Sequence, residues 1–225
     1  MNKHQAYHTS QVAFIKRLGF AIPLGLATLL VSTSGGLISL SATAHSRSVS
    51  LPIAQAPASA TTIYVNPQTG NDSAAAGNSQ ATPYRTITYA LQQAQAGTII
   101  QLALGSYTND TGEVFPLIIK RGITLQGDIA SKGQGIVITG GGQYLSPTFA
   151  GQNVSIIAET DSQISGLTIT NPNKRGTGVW VESSNPTIEN NTFSDSKREG
   201  IFVTGNAAPK IQNNLFTRND GNGIS

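Results

Sequence analysis

The chain contains no cysteine, and its only three histidines, His4, His8 and His45, lie near the N-terminus. Without cysteine it has no disulfide framework, no thiolate nucleophile and no Cys-ligated metal site. If an N-terminal signal is cleaved, no histidine is left inside the body of the protein. Ser-His-Asp catalysis and histidine-ligated zinc are therefore excluded, which leaves carboxylates, Lys, Arg, Tyr, hydroxyls and oxygen-ligated metals for chemistry.

Charge is also scarce, at 11% of 225 residues, and the positive excess lies in the first segment. Lys3, Lys16 and Arg17 flank or precede an apolar stretch, residues 18–31, and a run of small residues ending in Ala42-Thr43-Ala44 follows. This order predicts a secretory signal peptide over residues 1–44. An uncleaved membrane anchor is the alternative, which Ser and Gly disfavour because about 18 clean apolar residues are not available.

Without the signal, residues 45–225 carry 11 basic and 11 acidic residues, so the body is formally neutral. We therefore expect no nucleic-acid partner and, after cleavage, no membrane partner. Residues 45–60 are rich in Ser, Ala and Pro without periodicity and are interpreted as a linker. We expect the product to be secreted, at the cell surface or in the periplasm.

A repeat of about 23 residues is the clearest internal pattern. Residues 185–193 are echoed by residues 208–216, and Gly200-Ile201 recurs as Gly223-Ile224 at the same offset. Each copy alternates apolar residues over three to five positions between Asn, Gly or charged residues, which is typical of short strands and turns. Such a unit cannot bury its own apolar side and must stack on its neighbours.

The repeat predicts an all-β fold, a right-handed parallel β-helix with coils stacked at the inter-strand spacing of about 4.8 Å. Leucine-rich repeats share the period but need a leucine pattern and helical segments that are missing here. We expect coils over residues 98–225, preceded over residues 61–97 by a capping strand and a short helix that covers the first coil. The inward columns predicted by the register are Ile164, Ile188 and Ile211; Ile169, Phe193 and Phe216; Val179, Ile201 and Ile224; and Val181 and Val203.

Two pairs of asparagines recur at the repeat offset, Asn190 with Asn213 and Asn191 with Asn214. Asparagine tolerates left-handed backbone angles and can bond to the next coil. Either pair would form an amide ladder at a turn, and we interpret all four as structural.

A series of short motifs runs from the segment before the coils into the first coils. They are Tyr64-Val65-Asn66-Pro67, Gly70-Asn71-Asp72, Thr82-Pro83-Tyr84-Arg85-Thr86-Ile87, Gly97-Thr98-Ile99, Gly105-Ser106-Tyr107, Phe115-Pro116-Leu117-Ile118-Ile119 and Gly122-Ile123-Thr124-Leu125-Gln126-Gly127-Asp128. The opening motifs resemble the start of many secreted bacterial β-helix proteins, and the last two resemble one branch of the pectin-lyase-like superfamily, a domain of unknown function common in cyanobacteria. This resemblance covers residues 61–225 and implies the fold, but no catalytic residue set. Because the chain stops inside a repeat, we expect a fragment of a longer protein.

The register also predicts outward residues. If Val179 and Val181 point inward, Trp180 and Glu182 point outward, with Phe202 one coil on. Aromatic rings on a flat sheet suit the apolar face of a sugar, so these residues are candidates for ligand binding. The alternative is that a loop of the chain covers them.

The turn before that strand carries Lys174-Arg175, followed 23 residues later by Lys197-Arg198. Stacked like charges repel unless an anion lies between them, which motivates an acidic-glycan contact. Alternatively, Asp195 near Arg218 and Lys197 near Asp220 neutralise this rim.

Catalysis has weaker support. Acidic residues are scattered, and only residues 194–199 are dense. Residues 109–113 offer oxygen ligands for Ca²⁺ but are better interpreted as a polar loop, so no cofactor or metal is expected. The sequence therefore predicts an exported module that engages polysaccharide or a cell surface. The alternatives are a polysaccharide lyase or glycoside hydrolase whose site lies partly beyond residue 225, and a structural or adhesive solenoid.

Overall fold

The computed structural model describes residues 60–225, so the predicted signal peptide and all of the linker except Ala60 lie outside the described residues. This part contains one α-helix, α1 (Ile87–Gln93), and a 3₁₀ turn at Asn109–Thr111. No helix within it has the length and apolar character needed to cross a membrane. The strands are β1 (Thr62–Val65), β2 (Ile99–Leu102), β3 (Gly105–Tyr107), β4 (Leu117–Ile119), β5 (Thr124–Gln126), β6 (Ile136–Thr139), β7 (Gly142–Ser146), β8 (Ala150–Ala158), β9 (Gln163–Ser165), β10 (Thr168–Thr170), β11 (Gly176–Glu182), β12 (Thr187–Glu189), β13 (Thr192–Ser194), β14 (Ile201–Thr204), β15 (Lys210–Gln212) and β16 (Leu215–Thr217).

The strands form three parallel sheets. The first has the order β1-β2-β5-β9-β12-β15, the second β3-β6-β10-β13-β16 and the third β4-β8-β11-β14. From β2 onward the chain passes from the first sheet to the second and then the third before it returns to the first. This all-β arrangement is consistent with the predicted parallel β-helix, in which each circuit is one coil.

Apolar columns fill the interior of the coils in the predicted register. Ile188 pairs with Ile164 on one side and Ile211 on the other. The rings of Phe193 and Phe216 stack with centroids 5.1 Å apart and planes 12° from parallel. The remaining predicted neighbours are also paired: Ile169 with Phe193, Val179 with Ile201, Val181 with Val203, and Ile201 with Ile224. Residues one repeat apart are therefore vertical neighbours, because hydrogen-bonded parallel strands set the period.

Both predicted asparagine pairs form between the first and second sheets. Asn190 and Asn213 have the left-handed φ angles of 56° and 53°, and their side chains hydrogen-bond to each other. The amide nitrogen of the buried Asn191 donates to the side-chain oxygen of Asn214 at 3.1 Å, and its own oxygen accepts the backbone N–H of Leu167. The first pair thus shapes the turn, while the second connects successive coils.

The segment before the coils contains one strand and one helix. β1 pairs with β2 and begins the first sheet. In α1 the apolar residues Ile87, Ala90 and Leu91 are buried. Thr86 caps the helix by accepting the backbone N–H of Tyr89 at 3.0 Å. A Ser, Thr, Asp or Asn at this position satisfies one of the unpaired donors at a helix start.

A hairpin interrupts the solenoid between the second and third sheets. β7 pairs antiparallel with residues 150–154 of β8. β4 pairs parallel with residues 156–158 of β8, and β11 pairs parallel with it from Asn153 to Ile157. This coil is long, since the paired residues Ile138 and Ile169 are 31 positions apart, whereas Phe193 and Phe216 are 23 apart. The extra residues fold back over the outer face of the third sheet.

Candidate functional site

The outer face of the third sheet carries an apolar row. Ile118 pairs with Ile157, Ile157 with Trp180, and Trp180 with Phe202. These residues alternate with inward ones, so the predicted outward direction of Trp180 and Phe202 is confirmed. The two rings stack with centroids 4.4 Å apart and planes 14° from parallel.

The hairpin covers the aromatic end of this row. Tyr144 and Phe149 each approach Trp180 edge-on at 6.2 Å between centroids, and Phe149 meets Phe202 edge-on at 5.2 Å. Trp180 is consequently 0% exposed. Of the two alternatives that the sequence left open, the structure shows the second, in which a loop of the chain covers these rings. The Trp180 indole therefore offers no free surface to a sugar while the hairpin is in place.

Glu182 anchors the hairpin. Its carboxylate accepts hydrogen bonds from the indole N–H of Trp180 (3.0 Å) and from the hydroxyls of Tyr144 (3.1 Å) and Ser146 (3.0 Å). It also accepts from both the backbone N–H (3.0 Å) and the hydroxyl (2.6 Å) of Thr148. One carboxylate thus receives five donors, four of them from the hairpin.

The same contacts decide the ionisation of Glu182. Partial burial acts to raise its pKa, but the donors from Thr148, Trp180, Ser146 and Tyr144 outweigh burial and hold the pKa below its ordinary value. The pKa of Tyr144 is raised by burial and by this carboxylate. The pair is therefore a carboxylate that accepts from a neutral phenol.

The apolar row remains open at its other end, where a cleft of about 440 Å³ lies beside the hairpin. Ile118, which is 43% exposed, and Ile157 supply apolar surface, and Tyr144 lines the hairpin side. Arg121 and Glu159 line the cleft as well, and the backbone N–H of Arg121 donates to the Glu159 carboxylate at 3.1 Å. The cleft therefore combines apolar surface with charged and hydroxyl groups.

Sequence reasoning missed Ile118, Arg121 and Tyr144 as site residues. The sequence contains one indication of this site, because the 31 positions between Ile138 and Ile169 exceed the repeat of about 23 and indicate an insertion on one face. The sequence does not state which face the insertion covers.

A sequence profile of proteins of unknown function, DUF1565, matches residues 68–225. The chain belongs to this family. No curated protein and no solved structure matches it. The match begins within the loop after β1, so the coils and the hairpin of this DUF1565 domain lie inside it, whereas β1 precedes it.

Part of the charged rim of the DUF1565 domain is neutralised by opposite-sign pairs, one of the alternatives that the sequence left open. Arg218 bonds to Asp195 at 2.8 Å, and Lys197 lies 3.1 Å from Asp220. The hydrogen bond from Arg218 lowers the pKa of the Asp195 carboxyl. These exposed pairs contribute little to stability because water screens them.

Arg198 is held from three directions. It lies 3.0 Å from the Glu199 carboxylate, donates to the Gln152 side-chain oxygen at 2.7 Å, and lies over the ring of Phe202 at 5.2 Å from its centroid. Its guanidinium therefore closes the end of the aromatic cluster instead of standing free at the rim.

Lys174 and Arg175 are exposed on the preceding turn, and no ion pair to them forms within residues 60–225. The strands before and after this turn pair at offsets of 24 and 22, so the 23-residue offset to Lys197-Arg198 is not that of a strand pair. Binding of an acidic glycan by these four side chains stays a prediction.

The acidic loop at residues 109–113 serves the N-terminal cap. The buried Glu113 carboxylate accepts the backbone N–H groups of Ile87 (2.7 Å) and Thr88 (2.9 Å) and the hydroxyl of Thr88 (2.7 Å). Burial raises its pKa despite these donors. In the part of the chain that the structure describes, no group of three His, Cys, Asp or Glu side chains is placed to hold a metal ion.

Proposed function

We propose that this DUF1565 protein is an exported, right-handed parallel β-helix of the pectin-lyase-like superfamily that binds extracellular polysaccharide at the cell surface, in the periplasm or outside the cell. The observation that carries this proposal is the cleft on the third sheet. Contiguous apolar surface with a polar rim is typical of ligand-binding grooves, and in this cleft Ile118 and Ile157 lie beside Arg121 and Glu159.

The chemistry of the cleft suits a sugar ring. A pyranose has apolar C–H faces and a rim of hydroxyls that donate and accept. Ile118, Ile157 and the ring of Tyr144 can contact the faces, while Arg121 and Glu159 can hydrogen-bond to the rim. The cleft is open to solvent, so a sugar can enter it from outside.

Binding is favoured over cleavage by what the carboxylates already do. Glu182 receives five donors from the hairpin and Trp180. Asp195 is engaged by Arg218, and Glu199 by Arg198. A hydrolase of this kind needs two carboxyl groups free to act as acid and base about 6.5–9.5 Å apart, and the dense acidic cluster near Asp195 and Glu199 supplies no such pair. If the protein is an enzyme, a carbohydrate-active lyase or hydrolase is the class to assay.

The test is affinity electrophoresis of the full chain in gels that contain soluble polysaccharides, both neutral and acidic. Ile118→Gln and Arg121→Gln remove one apolar and one polar contact at exposed positions. Arg121→Gln also removes the exposed ion pair of Arg121 with Asp161 (2.7 Å), which contributes little to stability, so the fold should be unaffected. We expect each to weaken binding about tenfold, the equivalent of about 1.4 kcal/mol.

The matched control is Leu104→Gln, which changes an exposed apolar residue outside the cleft and should bind as wild type. Failure of every polysaccharide in the panel to retard the wild-type protein would refute polysaccharide binding. Retardation that both cleft variants preserve would place the binding site elsewhere.

A structural or adhesive solenoid is the second candidate. The full burial of Trp180 favours it, since the aromatic cluster then serves to attach the hairpin. A surface or protein partner that is captured by the wild type in the absence of any polysaccharide affinity would support this candidate.

A further inference from the structure

A second groove lies on the outer face of the first sheet, at its N-terminal end, with a volume of about 590 Å³. It is separate from the third-sheet cleft, because the two share no lining residue. Outward side chains of β1, β2 and β5 line it, with the loop that follows β1 beside them.

Every side chain that lines this groove is uncharged. The third-sheet cleft, in contrast, contains Arg121, Glu159 and Glu182. An ionic ligand would therefore find no counter-charge in the first-sheet groove, and desolvation of its charge would be uncompensated. Charge complementarity selects an uncharged occupant.

The groove contains one aromatic ring beside a fixed ladder of amides. Tyr64 pairs in register with Gln101, and Gln101 with Gln126, so the three outward side chains lie on successive strands. The Gln101 amide nitrogen donates to the carbonyls of Leu102 (3.3 Å) and Gly127 (3.2 Å). The Gln126 amide nitrogen donates to the Gln101 side-chain oxygen at 3.0 Å.

These bonds orient both amides before any ligand binds, which reduces the entropy that binding must overcome. They also use only part of the capacity of Gln126, whose side-chain oxygen can still accept a hydroxyl proton. An aromatic face next to oriented amide donors and acceptors matches the C–H face and hydroxyl rim of a sugar.

A peptide strand is a poorer occupant. Such a peptide would bind by adding to the edge of β1 through backbone hydrogen bonds. That edge is already used, because Tyr64 donates its N–H to the carbonyl of Gly77 at 2.9 Å and accepts the N–H of Tyr84 at 2.8 Å. Recognition in the groove must therefore use side chains.

We infer that the first-sheet groove is a second glycan-binding site, and that it takes uncharged polysaccharide. The inference rests on the proposed polysaccharide binding but places it on a different sheet and specifies the charge class of the ligand. Tyr64 stacks on a sugar ring, and the Gln101–Gln126 ladder hydrogen-bonds to its hydroxyls.

The experiment measures retardation of the full chain by hydroxyethyl cellulose, galactomannan and xyloglucan as neutral probes and by polygalacturonate as an acidic probe. Tyr64→Val removes the ring and keeps a residue that favours strands. Gln126→Val removes the open end of the amide ladder. We expect each variant to bind a neutral probe at least about fivefold more weakly, and added NaCl to leave the wild-type affinity for that probe unchanged.

Gln212→Val is the matched control, since it changes an outward amide at the opposite end of the same sheet. Circular dichroism melts verify that the variants remain folded. Wild-type affinity of Tyr64→Val and Gln126→Val for the neutral probes, or retardation by polygalacturonate alone, would overturn the inference. If only Ile118→Gln loses affinity, the third-sheet proposal stands and the first-sheet groove is wrong; if only the Tyr64 and Gln126 variants lose affinity, the reverse holds.

Discussion

The first and third sheets have similar interiors, in which isoleucine, leucine and valine stack from coil to coil, but their outer faces differ. Tyr64, Gln101 and Gln126 lie on the outer face of the first sheet. The side-chain amides of the two glutamines bond to each other, and that of Gln101 also bonds to the backbone. Outside the third sheet lies an apolar row that includes Ile157 and Trp180, covered in part by the hairpin.

This contrast shows that stacking fixes only one side of each strand. Inward residues are mostly apolar on every sheet because they stack on the equivalent residues of the neighbouring coils. An outward residue can be polar and face water, or apolar if another part of the chain covers it. The third sheet uses the second solution, and its cover is held by the pairing of β7 with β8, by ring contacts with Trp180 and by the Glu182 carboxylate.

The largest expected effect comes from Glu182→Ala, which removes the acceptor of five hydrogen bonds and leaves the hairpin donors unpaired. We expect a loss of about 2–3 kcal/mol in the free energy of unfolding. Because Trp180 is the only tryptophan in the chain, quenching of its fluorescence by acrylamide should increase as the hairpin detaches.

Glu189→Ala is the control on the first sheet, where the carboxylate accepts from the side chains of Gln163 and Gln212. We expect it to cost less than about 1 kcal/mol and to leave quenching unchanged. Equal effects of the two substitutions would remove the distinction between the faces.

Acidification should weaken the attachment of the hairpin to the third sheet through the protonation of Glu182. The pKa of Glu182 is lowered in the folded protein, so its contribution is present above the ordinary value of 4.5 and is lost as the pH falls below that value, through the lowered pKa. The pKa of Glu113 is raised, so the pH dependence of its contribution to the free energy of unfolding has the opposite sign. That contribution is lost as the pH rises through the raised pKa.

Acrylamide quenching of Trp180 reports on the hairpin, to which Glu182 bonds, whereas the Glu113 carboxylate bonds to the start of α1. We expect quenching to rise below pH 4.5 in the wild type and to show no such step in Glu182→Gln. A step of the same size in the variant would show that another group controls the hairpin.

Among the substitutions at the hairpin, the smallest expected effect is that of Tyr144→Phe, which removes one of the five donors to Glu182 and keeps the ring against Trp180. We expect a loss of about 0.5–1.5 kcal/mol and quenching close to that of the wild type. A loss as large as that of Glu182→Ala would mean that the five bonds form a single cooperative network.

Much of the fold follows from the sequence because the length of the repeat equals the number of residues in one coil. Ile188 and Ile211 are 23 residues apart and paired, as predicted, since parallel strands align residues one coil apart. The cap helix was predictable from the spacing of Ile87, Ala90 and Leu91. The outward direction of Trp180 followed from the alternation of strand residues.

The candidate sites were less predictable. Ile118 and Tyr144 come together because β4 and β8 are neighbours in the third sheet although they are separated by a long coil. The groove at Tyr64 likewise needs the loop after β1 to fold beside β2 and β5. Neither contact joins residues that are spaced at the repeat length, so the repeat does not predict either of them.

The sequence by itself determined which residues of the C-terminal coils stack, which face inward and where the chain turns, because these depend on local alternation and on a repeat of about 23 residues that those coils share. Only the tertiary structure decided that Trp180 is covered, that Glu182 holds the cover, and that two differently charged clefts are left open. These features depend on where a non-repeating insertion and a non-repeating loop come to lie, and the repeat carries no information about either.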